Sequence, residues 1–283
     1  MTTRSAPVRV PDESVVEQTH GVGPFVTRQR YRLADGSDRT WSSRRHRKVG
    51  LAHEQRRSLN RPWWQPRLLG WWIAVLFVGG SALFAIGALP WYADNVDPRI
   101  VGVTFFFVGS ILFTVAGYLQ YVETINAPLE LDPGKRSGRR TRLFAWQPRR
   151  IDWWAASVQS IGTVLFNIST LSAMNLQFTL QQQERLVWAP DMFGSVAFMI
   201  ASTLAWLEVS HGWWRWNPQD LSWRIVALNL GGAIAFQLSA IAAFIRPATG
   251  ELLSVPVANL GTFVGAVGFL IGAVLLIPEM ADH

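Results

Sequence analysis

The chain has 283 residues, 49% of them hydrophobic, no cysteine and a formal net charge of +7. Without cysteine there is no disulfide, no thiolate metal ligand and no cysteine nucleophile. The basic excess would suggest nucleic acid in a soluble protein. Here 14 of the 26 Lys and Arg lie in residues 1–67, ahead of a long apolar remainder, so a membrane explanation replaces the nucleic-acid one.

Residues 1–67 read as a basic cytoplasmic tail, largely disordered. Residues 1–24 lack apolar periodicity. Phe25, Tyr31, Leu33 and Trp41 flank Ala34-Asp35-Gly36-Ser37, and Asp-Gly is a hairpin turn signal. A two-stranded ribbon alone is marginal in water, so the hairpin carries little weight. With 67 polar residues ahead of the first apolar run, no cleavable signal peptide is expected. Arg44, Arg45, Arg47, Lys48, Arg56, Arg57, Arg61 and Arg67 make the end of the tail strongly basic, and Trp63 and Trp64 precede the first span. Tryptophan prefers the headgroup zone and clustered cations attract anionic lipid. The expected partners are therefore membrane lipids with anionic headgroups, or a protein docking on the tail. A homo-oligomer is compatible with the sequence.

Uncharged runs occupy residues 68–93, 100–122, 153–183, 192–207, 225–245 and 252–278. A helix needs about 20 residues to cross a hydrocarbon core. These runs predict six spans, over residues 68–89, 100–121, 153–174, 190–208, 225–245 and 256–277, with a basic loop at 123–152. The fourth run is short and needs Asp191 and Glu208 at the two interfaces. With the N-terminus inside, 23 of the 26 Lys and Arg fall on the inner side, which places both termini in the cytoplasm. Twelve of the 15 Trp fall near the same interface, with Trp91 and Trp188 outside. The expected fold class is an all-α polytopic membrane protein: six transmembrane helices in three hairpins behind a partly disordered N-terminal tail.

A short element recurs inside the spans. Gly80-Ser81-Ala82-Leu83-Phe84 returns as Gly109-Ser110-Ile111-Leu112-Phe113, Gly162-Thr163-Val164-Leu165-Phe166, Gly232-Ala233-Ile234-Ala235-Phe236 and Gly265-Ala266-Val267-Gly268-Phe269. The fourth span reads as a degenerate copy, Ala201-Ser202-Thr203-Leu204-Ala205. Gly at i and Phe at i+4 share one helical face, where the small residue admits a neighbouring backbone. Trp72-Ile73-Ala74-Val75-Leu76-Phe77 running into Gly80 and Phe84, then Phe105-Phe106-Phe107-Val108-Gly109 through Phe113, resembles the YrhK-like domain. This two-helix bacterial membrane domain has no assigned activity. The resemblance covers residues 68–122, implies a bacterial inner-membrane protein and supplies no catalytic residues.

No metal-ligand spacing, phosphate loop or hydrolase elbow is present, and no ionisable residue stands in the middle of a span. No metal, cofactor or enzymatic activity is expected. A lipid-acting enzyme would have to use interfacial carboxylates such as Glu123, Asp152 and Glu208. Neutral polar residues remain: Gln159, Thr163, Asn167 and Thr170 on one face of the third span, with Asn229, Gln237, Asn259 and Thr262 on the fifth and sixth. Interhelical hydrogen bonding is the first reading of this stripe. A binding cavity or solute path between spans three, five and six is the second.

Overall fold

The computed structural model describes residues 14–52, 63–89, 95–97, 100–127 and 141–280. The readings placed on residues 1–13, on Arg56, Arg57, Arg61 and Trp91, and on residues 128–140 of the basic 123–152 loop lie outside the described residues.

The tail is not disordered throughout, and the fold is not wholly α. Strands β1 (Val15–Val22), β2 (Phe25–Arg32) and β3 (Asp38–Ser42) form an antiparallel sheet in that order. At the Asp-Gly turn, Asp35 Oδ1 accepts from Ser37 N at 2.9 Å and Gly36 takes a φ of 80°, a left-handed conformation open to glycine. β2 alternates. Thr27, Gln29 and Tyr31 are buried, while Arg30 and Arg32 point out to pair with Glu17 and Asp38. The third strand supplies the stability that a lone hairpin lacks. Helix α1 (Ser43–Ala52) follows β3 without a loop.

Six long helices come next: α2 (Leu69–Gly87), α3 (Val108–Ile125), α4 (Ile151–Ala173), α5 (Ala189–Ser210), α6 (Leu221–Ala242) and α7 (Val255–Glu279). A π-helical stretch, Val101–Phe107, leads into α3; Leu180–Gln183 and Glu184–Trp188 lead into α5. Among the described residues, five helical segments are long and apolar enough to cross a membrane: Leu69–Gly87, Thr104–Ile125, Leu180–Ser210, Leu221–Ala242 and Val255–Glu279. The sixth helix, α4, has the length at 23 residues, but Asp152, Gln159, Asn167 and a series of Ser and Thr dilute it.

In the expected fourth span the register of the repeat is corrected. The helix continues N-terminally beyond the expected bounds to Leu180, and carries Glu184 and Arg185 ahead of Asp191. Its copy of the repeat is Gly194-Ser195-Val196-Ala197-Phe198, not the stretch at Ala201. Gly194 proves this by its contact. A Cβ placed there would stand 3.0 Å from the Phe166 ring and 3.2 Å from the Gly162 carbonyl oxygen.

Each long helix packs on the next, and α7 packs back on α2, closing a ring of six. Glycines make three equivalent close approaches: Gly80 with Gly109, Gly162 with Gly194, and Gly232 with Gly265. In each, a Cβ on either glycine would meet the partner's carbonyl oxygen and the phenylalanine four residues after it. The six phenylalanines, Phe84, Phe113, Phe166, Phe198, Phe236 and Phe269, share one buried cluster on the ring's axis. Phe113, Phe198 and Phe269 form a closed triangle with centroids 6.1, 6.2 and 5.5 Å apart, a spacing that aromatic pairs favour.

Candidate functional site

The repeat extends beyond the glycines. Trp64-Gln65-Pro66, Trp146-Gln147-Pro148 and Trp216-Asn217-Pro218 begin sixteen residues ahead of Gly80, Gly162 and Gly232. The indole N–H groups of Trp71, Trp153 and Trp223 donate to the carbonyls of Trp63, Ala145 and Arg215 at 2.9–3.0 Å. Trp64, Trp146 and Trp216 pack edge-on against those same rings, with centroids 4.7–5.0 Å apart. Three equivalent lead-ins thus bring α2, α4 and α6 into the ring.

At the same end, α3, α5 and α7 carry Glu123, Glu208 and Glu279 in their last turn, each fourteen residues after its repeat glycine. All three are buried. Across from them, ten residues before their glycines, α2, α4 and α6 carry Gly70, Asp152 and Ser222. Glu123 packs over Gly70, where a Cβ would stand 3.4 Å from its Oε1. Ser222 donates to Glu279 at 2.6 Å.

Helix α1 lies over this carboxylate ring. Its cations stand at i, i+3 and i+4 and therefore share one face. Arg44 makes a two-point contact with Glu279, at 2.7 and 3.0 Å. Arg47 Nη1 lies 3.3 Å from Asp152 and 3.4 Å from Glu208. Lys48 Nζ lies 3.1 Å from Glu123, and Ser43 donates to Glu208 at 2.6 Å. Each glutamate of the threefold set thus receives one cation from one helix. Arg150 also pairs with Asp152, so four cations face four carboxylates in the interior. Burial alone would lower the Arg47 pKa; Glu208, Asp152, Glu123 and Glu279 outweigh it and raise it above the ordinary arginine value.

The sheet sets α1 in place through the end of α5. His211 sits there at a φ of 53°, and its Nδ1 is 2.9 Å from Thr27 Oγ1. Burial first, then Arg215, Arg28 and His20, push the imidazole down to about 4.

Between α1 and the phenylalanine layer lies a cavity of about 60 Å³, lined by Arg47, Asp152, Glu208, Gln120, Gln159, Asn229 and the Phe77 and Phe269 rings. Asn229 Oδ1 and Arg47 Nε are buried with no hydrogen-bond partner among the described residues.

The expected polar stripe is divided. Gln159 and Asn229 both line this cavity, and Gln159 accepts from Gln120 at 3.4 Å. Thr163 and Asn167 face α3 instead. Thr114 donates to the Thr163 carbonyl at 3.1 Å, Ser110 donates to Asn167 Oδ1 at 2.6 Å, and Asn167 donates to Thr114. Gln237 donates to the Met192 sulfur on α5, and Thr262 pairs with Ser239 at 2.8 Å. Spans three, five and six do line this cavity together, but span six gives it apolar side chains, and Thr163, Asn167, Gln237 and Thr262 lie outside its lining. Sequence reasoning isolates Glu123, Asp152 and Glu208 only as loose interfacial carboxylates; it misses Glu279 and the cations that meet them. The signal is the constant offset from glycine to glutamate, which the misplaced fourth copy conceals.

No family model, curated protein or solved structure matches this chain.

Proposed function

We propose that this chain is a non-enzymatic, multi-pass protein of a bacterial inner membrane. In this reading its six spans form three hairpins, each an elaborated YrhK-like unit, and both termini are cytoplasmic. The bundle is a closed scaffold that holds the N-terminal sheet and α1 against its inner mouth. One observation carries the reading: the same chain of contacts occurs three times, from tryptophan lead-in through glycine crossing to terminal glutamate, and one helix caps all three. The buried carboxylates are neutralised by cations of the chain itself, which favours a structural role for them over acid–base chemistry. The tryptophans of the three lead-ins suit the headgroup zone, where Arg67, Arg149 and Arg215 would meet anionic lipid.

The cysteine-free chain allows a direct test. Cysteine in place of Gln177 should react with membrane-impermeant thiol reagent only from outside, and cysteine in place of Trp214 only from inside. Labelling of both from one side would end the even-numbered topology.

The axial cavity favours a second reading, a passive facilitator for a small neutral solute using Gln159 and Asn229. The phenylalanine layer would then be its gate. Reconstituted protein carrying Phe113→Ala and Phe198→Ala should conduct small neutral solutes if so; vesicles as tight as the parent's would remove this reading.

A further inference from the structure

The carboxylate ring and the helix that caps it differ in number. The three glutamates come from equivalent positions on three helices, whereas α1 exists once. The carboxylates therefore belong to the repeated bundle, and the cations belong to the segment that entered it. Among the described side chains of α1, those that touch the ring are Ser43, Arg44, Arg47 and Lys48, all polar. No apolar anchor among them adds to the ion pairs.

We propose that the carboxylate ring is a binding site for organic polycations, and that α1 is its tethered, displaceable occupant. Two features give the guest its class. First, each glutamate takes a different cation, and no group of three acidic or His side chains among the described residues is arranged to hold one metal ion. A guest must therefore present several separated positive charges, as a linear polyamine does. Second, with α1 withdrawn, four carboxylates face one another with Arg150 as the one cation left among them within the described residues. Uncompensated like charges in a buried site carry a heavy cost, so the open state selects whatever polycation can replace the helix. Net stabilisation by buried ion pairs is small, because desolvation offsets much of their attraction. Exchange of one polycation for another is then a near-balanced substitution. By linkage, a guest that enters the ring weakens α1 docking by the same factor that α1 weakens the guest. This mechanism rests on the cap's geometry alone and holds whatever the number of spans or the conductance of the bundle.

The experiment uses the full chain in lipid nanodiscs. Ser43 is 5% exposed and seated on Glu208, and Ser43→Cys supplies the probe. Arg45 is exposed, and Arg45→Cys supplies the reference. Thiol labelling is followed against spermine, with NaCl and MgCl2 at matched ionic strength. Spermine at about ten times its dissociation constant should raise labelling of the S43C variant on the order of tenfold, with the R45C variant unchanged and the simple salts much weaker. In the unsubstituted chain, spermine should expose Arg44 and Arg47 to phenylglyoxal in parallel, which guards against a folding defect from S43C. Equal effects of spermine and ionic-strength-matched salt, or no effect of spermine on either probe, would overturn the proposal.

Discussion

Gly162 and Gly194 touch through their backbones: a Cβ on Gly162 would stand 3.1 Å from the Gly194 carbonyl oxygen and 2.9 Å from the Phe198 ring. The contact explains why glycine is repeated with phenylalanine four residues on. One residue lets two helices approach and the other fills the space they leave on the axis.

This close approach yields a contrast between neighbouring glycines. Gly232→Ala puts a methyl group 2.9 Å from the Gly265 carbonyl and should destabilise the bundle by about 1–3 kcal/mol, the usual range for overpacking. Gly231 has nothing within 4 Å of its Cβ position, so Gly231→Ala should be neutral, or stabilise by up to about 1 kcal/mol through helix propensity. Thermal unfolding in detergent checks both, and equal losses at the two positions would contradict the crossing.

Removing one member of the cap should undock α1 without unfolding the ring. Glu208→Ala leaves Arg47 with Asp152 alone and strips Ser43 of its acceptor. Breaking a buried pair in this way costs about 3–5 kcal/mol. Limited proteolysis should then cut near α1 at least tenfold faster than in the parent, while fragments of α2–α7 stay protected. Loss of protection throughout would mean that the glutamates hold the bundle itself together.

Asp152 gives α1 its orientation. The equivalent positions carry Gly70 and Ser222, so only one side of the ring offers Arg47 a second carboxylate. Asp152→Ser should therefore loosen α1 and release Arg150, whereas Ser222→Ala should have a smaller effect, through one hydrogen bond worth about 1 kcal/mol. Comparing the two by hydrogen exchange in α1 tests the ranking.

Acid should release the sheet. His211 is neutral when packed against Thr27, with its pKa pushed down to about 4. A freed imidazole titrates near 6.5. Release therefore takes up a proton between these values, and docking is strongest above pH 6.5 and weakens as pH falls toward 4. His211→Asn tolerates the left-handed backbone there and should flatten that dependence in hydrogen exchange of β2. An unchanged slope would assign it to other groups.

The chain by itself determined the membrane character, the positions of most helices and the glycine–phenylalanine element. Each depends on local quantities: the length of an uncharged run, a four-residue spacing, the preference of Trp and Arg for one interface. The Asp35-Gly36 turn was equally legible, because its hydrogen bonds are made within four residues. The helical lead-in Leu180–Trp188 was not, because charge in a sequence reads as a boundary, while Glu184 and Arg185 continue a helix that packs on α4. Only the tertiary structure decided what Arg44, Arg47 and Lys48 do. A basic stretch beside a membrane looks the same in sequence whether it faces lipid headgroups or buried carboxylates. Glu123, Glu208 and Glu279 lie 75 to 235 residues from the cations that meet them, and nothing short of closing the six-helix ring brings them to one point.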